Sequence, residues 1–517
     1  MKKVFNRLFS KLVLIGIMIL IQFNWIVYTI YVATDGNPVA NTILRIISVV
    51  CALYVVYKDM KLYNKLSWVF LILFVPIVGC PCYFLFGRSD MTKQVRIKMS
   101  DIEKMVSPLR IEDKEVKKAL FEEDEIAWKQ SNYISNTAKY PVYREVDSCY
   151  YKIGQEMFAD MLKDLKEAKE FIFLEFFIMD PGIMYNSIID ILEQKAKEGV
   201  HVRMIYDDFG CIRNFPSKFY KELQAKGIHC ACFNPFRPSL DVVMNNRDHR
   251  KILVIDGKIA YTGGINLADE YINEVERFGY WKDAGIRITG EAVWSFTTMF
   301  LEMWSFITKS SENFTRYKAI DNEVLQTESK AEDRKKGFIQ PFADSPLDKK
   351  YVGEAVYLNL INHARRYVYI FTPYLILSTE LITALINAAG SGVDVRIVTP
   401  GIPDKKMVYL VTQANYETLI RGGVKIFQYT PGFIHSKCFV VDDEYACVGT
   451  INLDFRSLYL HFECGTFMYK TACISGVKED ALMTFRESRQ ISLEECENKN
   501  FFYQLFLSVL HLFAPLL

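Results

Sequence analysis

The sequence predicts an α/β fold of two similar halves related by pseudo-twofold symmetry, preceded by N-terminal membrane helices. Three observations predict it. Apolar residues are concentrated in the first 90 positions. A strand–helix–strand pattern is written twice after residue 150. A motif joining His to Lys stands once in each copy.

Composition narrows the classes first. The 517 residues carry 62 Lys+Arg against 61 Asp+Glu, a net charge of +1. That balance excludes a polycation holding nucleic acid by charge alone. A charged fraction of 24% with half the residues hydrophobic excludes a mostly disordered chain. The 12 cysteines are scattered apart from Cys80/Cys82 and Cys230/Cys232, and none forms a C-x-x-C pair. They read as small buried hydrophobes in a reducing compartment, not as a disulfide scaffold or zinc ribbon.

The anchor is expected over 1–88. Residues 12–33 hold no charge, and 22 residues span about 33 Å as a helix, enough for a hydrocarbon core. Trp25, Tyr28 and Tyr31 continue the run as interface aromatics, which favours a retained anchor over a cleaved signal. A second run, 43–57, carries Arg45; a third, 66–87, is charge-free but holds Pro76, Gly79 and Pro81. Cations cluster at Lys2, Lys3, Arg7 and Lys11, at Lys58, Lys61 and Lys65, and at Arg88, Lys93, Arg96 and Lys98. Placing all three clusters on the cytoplasmic side requires two crossings plus a third run that enters and returns; the alternative is a straight third helix that defies the charge rule. The expected location is therefore the cell membrane, multi-pass, with the region after residue 88 in the cytoplasm. A charged lead-in covers 89–150. At the other end, 496–517 is apolar from Phe501 on and suits either a core helix or one lying on the bilayer.

The repeat occupies 151–320 and 351–495, with the charged stretch 321–350 as linker. In the first copy, strand 171–177 precedes helix 187–197, and Gly199-Val200 leads into strand 201–206. In the second, strand 368–371 precedes helix 380–389, and Gly392-Val393 leads into strand 394–398. Such alternation favours mainly parallel sheets with helices on both faces.

The chemistry-bearing motif is duplicated in register. His249-Arg250-Lys251, Asp256 and Gly263-Gly264-Ile265-Asn266 match His435-Ser436-Lys437, Asp442 and Gly449-Thr450-Ile451-Asn452. Five fixed positions at about 5% each make one accidental match in this chain an event on the order of 1 in 10,000. In a strand, residues i and i+2 share a face, so His249 projects with Lys251 and His435 with Lys437. Asp256-Gly257 and Asp442-Asp443 suit tight hairpin turns, after which the chain returns to Asn266 or Asn452. Two such sets facing each other make a phosphate site. Lysines and asparagines donate to phosphoryl oxygens, one histidine acts as nucleophile and the other as general acid. Asp256 and Asp442 are grouped with the catalytic set, with a turn role as the plainer alternative. The chemistry calls for no metal and no cofactor, and no G-x-x-x-x-G-K-[ST] nucleotide loop is present. His201, His229, His363, His461 and His511 have no matching partners and are expected to be structural or solvated.

This constellation resembles that of the phospholipase D superfamily. Glu175-Phe176-Phe177, 206–210, 264–271, Tyr280-Trp281-Lys282-Asp283, Thr372-Pro373-Tyr374 and the apolar ending 512–517 extend the likeness to its bacterial cardiolipin synthases. The resemblance implies transfer of a phosphatidyl group from one phosphatidylglycerol to another through a phosphohistidine, releasing glycerol. It implies His249 as nucleophile and His435 as acid, with the reverse still open. It also implies a histidine-orienting carboxylate after each Asn. Glu463 fits, 11 residues past Asn452; Arg277 holds the matching place in the first half, and Asp283 is the substitute. Partners are then phosphatidylglycerol and the bilayer, with no nucleic acid; the oligomeric state is not legible. Alternatives are another phospholipase D-type hydrolase or phosphatidyltransferase, and a membrane scaffold with a degenerate site. No His or Lys of the motif is missing, which counts against the scaffold.

Overall fold

The computed structural model describes residues 11–35, 37–87, 93–144, 146–216, 219–235, 246–319, 337–498 and 500–512. The cations at Lys2, Lys3, Arg7 and Arg88, the linker stretch 320–336 and the ending 513–517 lie outside them. The chain divides into two units: residues 1–90 with 236–245 and 509–517, and residues 91–235 with 246–508.

The first unit is helical. Lys11–Thr34 is followed by Pro38–Tyr57, whose first N–H groups are capped by the Asn37 side chain at 3.1 Å. Among the described residues, Pro38–Tyr57 is the one helix long and apolar enough to cross a membrane. The third apolar run is two helices, Leu62–Phe74 and Pro76–Phe86, of about 20 and 17 Å, each shorter than a hydrocarbon core of about 30 Å. The break falls at Val75, where Pro76 opens the new helix, and not at Pro81, which lies inside it. Gly79 has its own reason for being glycine: a Cβ there would stand 2.4 Å from the Leu71 carbonyl oxygen of the preceding helix.

The second unit contains both α/β halves. The first half is a seven-stranded sheet in the order Ser148–Tyr151, Gly285–Thr289, Ile259–Gly263, Lys251–Ile255, Phe171–Phe176, His201–Asp207, His229–Phe233. Strand alternation buries both faces. Ile172, Leu174 and Phe176 join a core with Met157, Leu165, Ile188 and Leu192 of helices Gly154–Glu167 and Ile183–Lys197. Phe173 on the other face stacks on Phe300 of helix Val293–Thr308, ring centroids 4.5 Å apart. The second half runs Phe338–Asp344, His461–Tyr469, Tyr445–Gly449, Cys438–Val441, Tyr367–Phe371, Asp394–Pro400, Lys425–Tyr429, with short edge strands Tyr143–Arg144 and Ser488–Gln490.

The expectation of mainly parallel sheets is corrected. Within each half, the strand–helix–strand parts pair in parallel: His201–Asp207 with Phe171–Phe176 and with His229–Phe233, and their counterparts in the second half. The motif strands are antiparallel hairpins, because Asp256 (φ 52°) with Gly257 (φ 65°) and Asp442 (φ 56°) with Asp443 (φ 65°) turn the chain straight back. All 12 cysteines are free.

Candidate active site

The two halves are tied together at the motifs. Arg247–Asp248, just before His249, pairs in parallel with His461–Phe462 of the second half, and the His249 N–H donates to the Phe462 carbonyl at 3.0 Å. Gly432–Ile434, just before His435, pairs in parallel with Tyr280–Lys282 of the first half, and the His435 N–H donates to the Lys282 carbonyl at 2.7 Å. Each histidine is therefore preceded by a segment paired with the residues just before the other half's carboxylate, Glu463 or Asp283.

The carboxylates are consequently crossed. His249 Nδ1 stands 2.9 and 3.0 Å from the two oxygens of Glu463, and His435 Nδ1 stands 2.6 Å from Asp283 Oδ2. Both carboxylates are fully buried and both histidine side chains are 9% exposed. With Nδ1 engaged, Nε2 is the ring nitrogen left for chemistry on each side. The spacing in sequence could locate these carboxylates but not the crossing, which follows from strand pairing between halves.

Lys251 and Lys437 are buried beside the histidines. Lys251 Nζ donates to the His249 carbonyl at 2.5 Å, and Lys437 Nζ to the His435 carbonyl. Burial lowers Lys251 to about 7 and Lys437 to about 8. Burial, reinforced by these ammonium groups, holds His249 well below the usual imidazole range and brings His435 to about 4, where Asp283 opposes the drop. Burial pushes the Asp283 carboxyl up, but His435 and Lys437 together outweigh it and keep it below its usual range. The Phe177 ring covers this side of the site, 5.0 Å from His249, with Lys251 Nζ 5.4 Å from its centroid. Tyr271 and Trp281 flank His435 at 5.5 and 5.4 Å.

The remaining motif residues separate. Asn266 accepts from the Ile178 N–H at 3.0 Å and donates to the Tyr271 hydroxyl at 2.6 Å, so it braces the ring beside His435. Asn452 is buried with its Oδ1 unpartnered. Grouping Asp256 and Asp442 with the catalytic set is corrected. Asp256 accepts the N–H groups of Lys169, Glu170 and Phe171 at 2.8–2.9 Å; Asp442 accepts those of Arg365, Arg366 and Tyr367 at 2.6–2.8 Å. Each sits about 16 Å along the strand from its lysine and fastens the start of the neighbouring strand. Arg277 pairs with Glu270 at 2.8 Å.

Sequence reasoning missed three features. Thr450 Oγ1 donates to Glu463 Oε2. Arg250 turns to the opposite face from His249 and binds Glu175 and Asp248 in a buried ion cluster. His461 lies against His249, ring centroids 5.5 Å apart, and is no solvated bystander. The available signal was positional: His461 precedes Glu463 by two residues, as Trp281 precedes Asp283.

Two α/β halves that close on one another through crossed histidine–carboxylate pairs define a phospholipase D-like protein. The family model described as "Cardiolipin synthase, PLD-like domain" matches residues 161–304 and 357–481, and one described as "Phospholipase_D-nuclease N-terminal" matches 46–88. The chain is 32% identical over 461 residues to a cardiolipin synthase of Alkalihalophilus pseudofirmus, covering 88% of this chain and 89% of that one. It is 42% identical over 467 residues to an uncharacterized protein of Streptococcus mutans, covering 90% and 99%. In fold it is similar to the phosphatidylserine synthase of Haemophilus influenzae, with TM-score 0.57 and 16% identity over 75% of this chain and 99% of that one. The chain belongs to the cardiolipin synthase family of phospholipase D-like proteins, and by class it is a phosphatidyltransferase.

Proposed function

We propose that the chain makes cardiolipin from two molecules of phosphatidylglycerol. The carrying observation is the crossed pair: two buried imidazoles, each with Nδ1 on a buried carboxylate and each beside a buried lysine.

In the first step His249 Nε2 attacks the phosphorus of one phosphatidylglycerol, and the bond from phosphorus to the glycerol headgroup oxygen breaks. His435, protonated as the anionic phosphodiester enters, gives its Nε2 proton to that oxygen, and glycerol leaves. Neutral His435 then takes the proton from a hydroxyl of a second phosphatidylglycerol. The resulting oxygen nucleophile attacks phosphorus, the bond to His249 breaks, and cardiolipin is released. Lys251 and Lys437 hold the phosphoryl oxygens as charge builds on them. The difference between the histidines supports this direction. Burial and the neighbouring ammonium groups hold His249 below the usual imidazole range, which favours the neutral form a nucleophile needs. His435, on the shorter carboxylate bond, is the better placed to carry a proton.

The membrane reading belongs with this function. The anchor concentrates the acceptor lipid at the site and so favours transfer over water. A multi-pass anchor with the α/β halves in the cytoplasm fits the cation clusters in the sequence. Purified protein given phosphatidylglycerol alone tests the proposal. Cardiolipin and free glycerol in equal amounts are expected, and excess glycerol should reverse the reaction. Phosphatidic acid as the main product would make it a hydrolase; a strict need for a CDP-linked lipid would sink the chemistry.

A further inference from the structure

The His461 side chain is about nine-tenths covered without an evident occupation. It is 10% exposed, next to Glu463 at 0%, and neither ring nitrogen has a hydrogen-bond partner. Buried polar groups left unpaired are costly and call for an explanation. Its Nδ1 lies 3.8 Å from Glu463 Oε1, and one donor atom each from His249, His461 and Glu463 fall within 4.8 Å of one another. Among the described residues this is the one such trio of His, Cys, Asp or Glu.

We propose that His249, His461 and Glu463 form a binding site for a borderline-soft divalent cation of the zinc class, and that filling it switches the enzyme off. Two imidazoles and one carboxylate are a donor set suited to zinc and poorly suited to magnesium or calcium. A tetrahedral ion about 2.0–2.1 Å from each donor needs donors about 3.4 Å apart. The spacings from Glu463 to the two imidazoles, 2.9–3.0 and 3.8 Å, lie on either side of that value. The carboxylate is already braced by the Thr450 hydroxyl, as ligating carboxylates generally are. Only one side of the pseudo-symmetric pair offers the site: Trp281, in the matching place beside Asp283, brings an indole that cannot ligate. An ion seated here takes His249 from its carboxylate and draws electron density out of the ring. The inhibition rests on His249 as nucleophile; the binding does not.

Full-length protein in lipid nanodiscs, stripped of metal, is titrated with Zn²⁺, Co²⁺ and Mg²⁺. One equivalent of Zn²⁺ should bind at micromolar concentration or below, and Mg²⁺ should not compete. Co²⁺ should give the intense visible bands of a tetrahedral site. His461→Asn should weaken binding about 10- to 100-fold and reduce the fold-inhibition by Zn²⁺ to match. A wild-type protein with no tetrahedral cobalt spectrum overturns the site, whatever the variant does. Equal zinc affinity in His461→Asn overturns it too. Stoichiometric zinc binding with undiminished turnover overturns the switch. Zinc binding in a protein that makes no cardiolipin would leave the site standing and bring down the functional reading instead.

Discussion

The surroundings of His249 and His435 keep one plan and differ in every detail. Each ring has its Nδ1 on a carboxylate from the other half, but His249 sits between both oxygens of Glu463 while His435 makes a single bond of 2.6 Å to Asp283. Glu463 is held by a side chain, the Thr450 hydroxyl. Asp283 is held by backbone, the Ala284 N–H at 2.8 Å, and reaches its place because position 264 is glycine: a Cβ there would be 2.0 Å from Asp283 Oδ1. An imidazole flanks one side and an indole the other. Pseudo-symmetry thus delivers two histidines to one site and sets a different backing behind each, as a division into acid and nucleophile requires.

The largest effect should come from breaking either side outright. His249→Ala and His435→Ala should each lower turnover about 10⁴-fold or more, and the double variant little further, because the residues act as one unit. Labelled phosphorus from the phosphatidyl group, retained on the protein after a rapid quench in alkaline detergent, sharpens the roles. It should vanish in His249→Ala; retention there would exchange them.

Next come the crossed carboxylates. Glu463→Gln and Asp283→Asn should each cost about 10²–10⁴-fold in kcat by spoiling tautomer and orientation. Glu463→Gln should slow formation of the phosphohistidine, and Asp283→Asn the departure of glycerol, as read by single-turnover kinetics. Identical losses in the same step would refute the division of labour.

The lysines set the alkaline limit. Ammonium is the form that holds the phosphodiester, and burial has lowered Lys251 to about 7 and Lys437 to about 8. As pH rises through 7 to 8 the free enzyme loses that charge, so kcat/KM should fall there and recover on acidification. A flat profile from pH 7 to 9 would contradict the assignment. Lys251→Ala and Lys437→Ala should each cost about 10²–10³-fold.

The smallest catalytic effect should come from the motif aspartates. Asp256→Ala and Asp442→Ala each abandon three backbone N–H groups and should lose about 3 kcal/mol of stability in thermal or denaturant unfolding. The molecules that remain folded should keep their specific activity within a few-fold; a large loss there would return the aspartates to the catalytic set.

What was legible in the sequence was what lies close along the chain. The strand alternation placing His249 with Lys251, the hairpin turns at Asp256 and Asp442, and the repeated strand–helix units are all local, set by side-chain period and turn chemistry. The pairing of Arg247–Asp248 with His461–Phe462 spans more than 200 residues, and nothing local encodes it. The crossing of carboxylates, the company of His461 and the bracing of Tyr271 by Asn266 all depend on such contacts. The sheets are mixed because the parallel strand–helix units continue edge to edge into the antiparallel hairpins that carry the motifs. The third apolar run divides at Val75, because a proline at the first turn opens a helix more readily than one in its middle ends it, so the break precedes Pro76 and not Pro81.

The crossed strands also bear on how such a site can diversify. In a symmetric pair of identical chains, each substitution is made twice, so both histidines must keep identical neighbours. Writing the two halves into one chain removes that constraint. Glu463 and Asp283, Thr450 and Gly264, His461 and Trp281 are pairs of positions that a single repeated gene product could never have set independently. The halves still cannot be parted, since each histidine takes its carboxylate from the other. Joining the two halves in one chain makes possible an active site whose two sides are free to specialise.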